Sequence, residues 1–180
     1  LTKVNAEGIN VADDFAFTGT VTGATPITHV DQWRLTTNFS GTAEPIASNL
    51  ERVDTGAQGT IGSAMTVSSG IFTFPVTGIW LVTARVGLSR AGDSRYQTLY
   101  IQATVNNSDY TTIAQNNSNI NQSESGRTYI SNHNSSTMDV SNVTNVKVRF
   151  SVTPSQSDVL THGDSTLNDT SFTFIRLGDT

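Results

Sequence analysis

The stretch GIFTFPVTGIWLVTARVGL, residues 70–88, is rich in β-branched and aromatic residues and is interrupted by Pro75 and Gly78. Its two phenylalanines share one face of a strand, because side chains alternate across a strand. Pro75 restricts its own φ and Gly78 accepts a positive φ, so PVTG predicts a turn. The near-continuous apolar run from Ile79 to Leu88 is typical of a central strand. The stretch therefore predicts a buried β-hairpin.

The rest of the chain repeats this alternation at short spacing. Apolar and polar residues alternate in 31–39, 95–105, 143–152 and 170–177, and turns rich in Gly, Asn and Ser separate these runs. No segment has sustained helical periodicity. Roughly ten short strands without crossover helices indicate an antiparallel β-sandwich.

The composition excludes several classes of function. The 180 residues carry a net charge of −5 and no cysteine, and only 14% of them are charged. Without a basic run, nucleic-acid binding is not expected. No apolar stretch approaches the roughly 20 residues of a membrane-spanning helix, so membrane insertion is not expected either. Stability does not depend on disulfides or thiolate metal sites.

The sequence lacks the patterns of common catalytic sites. No serine lies in a GxSxG motif, and the histidines lie in polar segments without zinc-motif spacing. A glycan-cleaving enzyme needs two carboxylates facing one groove, and the acidic residues considered for this role are scattered: Glu44, Glu51, Asp54 and Glu124. We therefore expect a protein that is not an enzyme and has no catalytic residues.

The spaced apolar residues of 1–25 predict a thin, strand-like ribbon with too little apolar surface to fold alone. Two interpretations stay open: a disordered leader, or a shaft segment that orders by winding with identical chains. Pro26 marks a boundary. We therefore divide the chain into an N-terminal shaft or attachment segment, residues 1–27, and a head, residues 28–180.

The spacing of Phe72, Gly78 and Trp80 resembles the centre of the C1q-domain signature. The closing segment SFTFIRLG (171–178) is similar to the last strand of that family. The resemblance spans about residues 31–180. It implies an all-β, C1q/TNF-like antiparallel jelly-roll sandwich that forms a homotrimer.

The family topology also implies the strand order and the places of the loops. The implied strands A to H are 32–39, 70–75, 79–88, 97–105, 109–115, 127–140, 146–152 and 170–177. Both termini would lie at the base of the sandwich. Three loops, 89–95, 116–126 and 154–169, would gather at the opposite end.

Two further stretches resemble bacteriophage proteins. FAFTGTVTGA (15–24) is similar to shaft segments of phage tail and head fibres, and residues 33–54 resemble the opening of C1q-like heads on marine-phage structural proteins. This resemblance implies a virion-surface fibre whose head adheres to a host surface glycan or protein, and whose N-terminal segment contacts other virion proteins. The alternatives are a capsid decoration or cementing protein and a cellular C1q-like lectin or adhesion module.

The candidate functional residues follow from these implied loops. Candidate receptor contacts are Arg90, Asp93, Arg95, Asn119, Asn121, Glu124, Asp158, His162 and Asp164. In a trimer each carboxylate occurs three times, so calcium held by Asp93, Asp158 or Asp164 is a weaker hypothesis. Trp33, Phe72, Trp80 and Tyr100 are candidates for the core or the trimer interface. Tyr110 and Tyr129 are among the aromatic residues that could stack on sugars if exposed.

Overall fold

The computed structural model describes residues 26–180, which form twelve β-strands and no helix. The strands are β1 (Val30–Leu35), β2 (Thr37–Ser40), β3 (Leu50–Arg52), β4 (Thr66–Ser68), β5 (Ile71–Thr73), β6 (Gly78–Arg90), β7 (Ser94–Thr104), β8 (Thr111–Ile120), β9 (Thr128–Val140), β10 (Lys147–Pro154), β11 (Leu160–Asp164) and β12 (Ser171–Gly178). Most of the predicted shaft, residues 1–27, lies outside the described residues, so its boundary stays a prediction.

The strands form two sheets. The front sheet has seven strands, in the order β2-β11-β6-β12-β1-β3, with β9 also paired to β6. The back sheet has five strands, in the order β4-β5-β10-β7-β8. Every strand pair in both sheets is antiparallel. The predicted fold class, an all-β antiparallel jelly-roll sandwich, is confirmed.

Strand β6 is the central strand of the front sheet, as its apolar run predicts. It pairs with β9 along its whole length and with β12 from Ile79 to Arg85. Its alternate residues are buried between the sheets, and these are Trp80, Val82, Ala84, Val86 and Leu88. The predicted hairpin is wrong in one respect: β5 belongs to the back sheet and does not pair with β6. The PVTG turn crosses between the sheets, which lets Phe74 pack on Trp80 with ring centroids 5.2 Å apart.

An aromatic cluster holds the two sheets together. Phe72 of the back sheet packs edge-on against Trp33, Phe150 and Phe172, with ring centroids 5.5–5.9 Å apart. Such geometry suits the quadrupoles of aromatic rings. Trp33, Phe72 and Trp80 are thus core residues of the single chain and are not available to a trimer interface, whereas Tyr100 is half-buried.

All three predicted loops are shorter than expected. Residues 89–90 of the predicted loop 89–95 belong to β6, and residues 94–95 belong to β7. Residues 116–120 continue β8, and residues 160–164 of the predicted loop 154–169 form β11. Strand β6 extends beyond the start of β12, which leaves its last residues without a partner on that side. Strand β11 fills the gap, pairing Leu160 with Ser89 and Thr161 with Leu88. The sequence did not reveal the pairing of β11 with β6, because residues 154–169 are mostly polar and do not alternate between apolar and polar residues.

The chain enters and leaves the sandwich at one end, here called the base. The amide of Arg176 donates to the carbonyl of His29 at 3.0 Å. Gly78 has a φ of +139°, and a Cβ there would lie 2.5 Å from the carbonyl oxygen of Gly178. Glycine is required at residue 78 because the last strand ends against it.

Candidate functional site

Three loops meet at the end opposite the base, here called the apex. They are residues 91–93 between β6 and β7, 121–127 between β8 and β9, and 155–159 between β10 and β11. Their convergence agrees with the expectation for loops 89–95, 116–126 and 154–169. Strand direction explains it, because β6, β8 and β10 all run from base to apex.

Hydrogen bonds tie the three loops to one another. The amide of Gln122 donates to Asp93 Oδ1 at 2.7 Å. Arg90 Nε donates to Asp158 Oδ1 at 2.6 Å, and Arg90 Nη1 donates to the carbonyl of Asp93. The hydrogen bond from Arg90 holds the pKa of the Asp158 carboxyl below its ordinary value. The apex is therefore a connected polar surface of three linked loops.

Serine hydroxyls anchor the apex to the sandwich beneath it. The hydroxyls of Ser94 and Ser155 are hydrogen-bonded at 2.9 Å, and the amide of Arg95 donates to Ser155 Oγ at 2.9 Å. Arg127 Nε donates to Ser89 Oγ at 3.0 Å. These contacts fix where the loops leave their strands.

The structure places seven of the nine receptor-contact candidates at or beside the apex. Arg90, Asp93 and Asp158 form the network between loops, while Asn121 and Glu124 are exposed in the loop 121–127. Arg95 and Asn119 are also exposed, but they lie on β7 and β8.

His162 and Asp164 lie on β11 and not in the loop 155–159. The carboxylate of Asp164 accepts hydrogen bonds from Thr166 Oγ1, the Thr166 amide and the Leu167 amide, and these bonds lower its pKa. Asp164 therefore caps its own turn.

The three carboxylates proposed for calcium do not come together in the single chain. Within residues 26–180 no three His, Asp or Glu side chains are grouped so as to hold a metal ion. Asp93, Asp158 and Asp164 each accept hydrogen bonds from other protein groups. Calcium at a threefold axis stays a prediction, because it requires the assembled trimer.

Sequence reasoning missed a hollow on the outer face of the front sheet, below the apex. It has a volume of about 270 Å³ and is lined by Arg85, Gly87, Leu88, Tyr129, Ile130, His162 and Asp169. These residues come from three strands and the β11–β12 connection, so no local pattern joins them. Two of the lining residues, His162 and Tyr129, were nevertheless singled out from the sequence, and the Tyr129 side chain is 67% exposed.

A row of apolar side chains crosses β1, β12 and β6 near the base on the same outer face, and it ends at β9, where Thr137 is the partner of Leu81. Val30, Ile175 and Leu81 are neighbours in register across β1, β12 and β6. The next row towards the apex holds Gln32, Thr173 and Thr83 in the same register. The face thus changes from apolar to polar between the base and the hollow.

Comparison with known proteins finds likeness in structure alone. No protein-family model and no curated protein sequence matches the chain. Murine APRIL at pH 5.0 superimposes with a TM-score of 0.59 and 12% identity, over 83% of this chain and 98% of that one. The Eiger TNF of S. frugiperda gives a TM-score of 0.61 and 13% identity, over 86% of this chain and 96% of that one.

These neighbours agree with the implied C1q/TNF-like topology. Among residues 26–180 there is no helix long and apolar enough to cross a membrane. Since identity to the solved structures is so low, the likeness concerns architecture only. The described part of the chain has the jelly-roll fold of the TNF-like proteins.

Proposed function

We propose that the protein is the non-enzymatic head of a homotrimeric virion fibre, and that its apex adheres to a glycan or protein on the host cell. The observation that supports adhesion is the set of three hydrogen-bonded loops at the apex, the end opposite the base. An attached shaft at the base would point this surface outwards. The phage assignment is supported by the resemblance of residues 15–24 and 33–54 to fibre proteins.

Self-association supplies the avidity that a shallow surface needs. Linking several weak sites makes each later contact intramolecular, so overall affinity rises without a deep pocket. The apolar row of Val30, Ile175 and Leu81 is a surface that a second copy could cover. When such a face packs on a different surface of the next copy, the copies form a closed ring such as a trimer if the rotation between them closes.

The Leu81→Glu variant is expected to be monomeric at micromolar concentration, while the wild-type chain is trimeric. A carboxylate in this row would have to be desolvated when the next copy covers it. Leu81 points away from the intramolecular core, so the variant should keep its β-sheet circular dichroism. Light scattering after size exclusion measures the mass. The matched control is Thr83→Glu, in the polar row.

A trimer in both variants would show that copies associate through another surface. A monomeric wild-type chain would contradict the proposed assembly itself. Protein concentration must be equal in all runs, because assembly follows mass action.

Adhesion is tested with a triple variant, Arg95→Ala, Asn121→Ala and Glu124→Ala. These side chains are exposed at the apex, so the fold should be unchanged. The control is a triple variant on exposed strand residues of the back sheet: Thr66→Ala, Thr111→Ala and Gln115→Ala. Fluorescently labelled full chain is applied to a panel of marine bacterial isolates, and bound protein is counted by flow cytometry.

We expect the wild type and the back-sheet control to stain at least one isolate, and the apical variant to lose most of that staining. Equal staining by the apical variant would overturn the apical location. If the protein stains no isolate but binds to isolated capsids, its proposed function would be capsid decoration instead of adhesion.

A further inference from the structure

An apolar groove opens along the side of the sandwich where both sheets end. Among the strands of residues 26–180, β8 pairs only with β7 and β9 pairs only with β6. The groove lies beside these two free edges and has a volume of about 180 Å³. Ala103, Met138 and Val146 line it and are buried, whereas Val105 and Ile113 line it and are 77% and 40% exposed. None of the residues of the apolar row on the front sheet lines this groove.

The edge strand β8 is suited to accept a further strand. A free edge presents unpaired main-chain N–H and C=O groups, which another strand can use. β8 contains no charged residue and no proline, two features that commonly keep other chains away from a free edge. Its register against β7 shifts between Ile101 and Gln102, so Ile113 is the extra residue of a β-bulge. Bulges redirect side chains, and here Ile113 lines the groove.

The segment FAFTGTV, residues 15–21, has the pattern of a strand with one apolar face. Its odd-numbered residues are Phe15, Phe17, Gly19 and Val21, and its even-numbered residues are Ala16, Thr18 and Thr20. Side chains alternate across a strand, so all its large apolar groups would lie on one face. Residues 15–24 carry no charged side chain, so burying this segment takes no ion out of water. Such a face needs an apolar partner surface.

The groove is within reach of this segment on the same chain. At the base the ring of His29 lies 5.7 Å from the ring of Trp80, and Trp80 is the register partner of Met138 in the groove. Neighbouring strands are about 4.8 Å apart, so the groove is roughly 10 Å from His29. Residues 22–28, when extended, span about 23 Å. The connection is therefore long enough.

We propose that residues 15–21 bind in the groove of their own chain, as a strand added to the free edge of β8. Val21 has to end near the base, whereas β8 runs from base to apex, so the two strands are antiparallel. The two phenylalanines of the segment cover Val105 and Ile113, and outward main-chain groups of β8 gain partners. This inference goes beyond adhesion, because it assigns residues 15–21 to the head and leaves residues 1–14 for the shaft.

Disulfide trapping in the full chain tests the proposal, because the chain has no cysteine of its own. Ile113→Cys is combined in turn with Phe15→Cys and with Phe17→Cys. The matched controls combine it with Ala16→Cys or Thr18→Cys, on the opposite face of the segment. A disulfide requires the two Cβ atoms to lie about 4 Å apart. After mild oxidation, we expect at least one phenylalanine position to form an intramolecular disulfide and neither control position to do so.

Hydrogen exchange gives a second readout without cysteines. In Phe17→Asp a carboxylate would have to enter the apolar groove, so the added strand should dissociate. The outward amides of Thr111–Gln115 should then exchange about tenfold faster or more than in the wild type. The matched control, Thr18→Asp, places the same charge on the opposite face and should exchange like the wild type. Circular dichroism checks that both variants keep the sandwich.

The proposal requires both results. Absence of a disulfide at both phenylalanine positions would overturn it, as would equal trapping at the odd-numbered and even-numbered positions. A disulfide that links two chains would show that the segment of a second copy occupies the groove, which contradicts the assignment to the same chain. Equal exchange in the wild type and both variants would show that the segment does not cover β8. Slow exchange in all three would then assign the groove to contact with the head of a second copy.

Discussion

The Phe72→Ala variant is expected to lose about 3–5 kcal/mol of unfolding free energy, the usual cost of deleting a buried phenyl ring. Phe72 is fully buried and contacts rings from both sheets, with centroids 5.1–5.9 Å away. Its removal leaves a cavity between β5, β1 and β12. Because the neighbouring rings belong to paired strands, they cannot collapse fully into this space.

Urea unfolding followed by tryptophan fluorescence measures the effect, at one fixed protein concentration because assembly adds to apparent stability. The control is Tyr96→Ala, an exposed aromatic residue, for which a change within about 0.5 kcal/mol is expected. A loss of less than about 1 kcal/mol in Phe72→Ala would contradict the placement of this ring at the centre of the core.

Replacing Asp31 by alanine is expected to cost about 2–5 kcal/mol, because each buried donor left without its acceptor costs about 1–3 kcal/mol. Asp31 is only 2% exposed, and Asp31 Oδ2 accepts hydrogen bonds from the Met65 amide at 2.8 Å and from the Trp33 indole at 3.1 Å. Arg52 Nε lies 3.3 Å from the same carboxylate. The variant would leave a buried amide and a buried indole N–H without their acceptor, while Arg52 would keep its hydrogen bond to the carbonyl of Met65 at 2.6 Å.

The variant should also loosen the connection from β3 to β4, since Asp31 joins β1 to Met65 at its end. Hydrogen exchange of the Met65 amide reports this directly, and it should become faster in Asp31→Ala. The matched control is Asp54→Ala, an exposed carboxylate of the same connection, which should leave stability within about 0.5 kcal/mol. Equal stabilities of the two variants would contradict a structural role for the Asp31 network.

Much of the sandwich could be predicted from the sequence, since burial on one face imposes a period of two. The strand around Trp80 and the closing strand around Phe172 were predicted in this way. The pairing of β11 could not be, because LTHGD lacks an apolar alternation and gains its partners from two strands distant in sequence, β2 and the free edge of β6. The sequence likewise offered Trp33 for either the core or the trimer interface, and the packing of the two sheets buries it in the core of the single chain.

The candidate site, too, could be predicted only in part from the sequence. The sequence by itself determined that the polar loops follow the strands, and the implied topology placed them at one end. It could not show that Arg90 joins Asp158 across 68 residues, or that Gly87, Tyr129 and Asp169 surround one hollow. The alternation of apolar and polar residues and the residue preferences of turns depend on near neighbours in the sequence, so a short stretch of sequence is enough to reveal them. The hollow arises where strands distant in sequence are brought into register, and only the tertiary structure decides that.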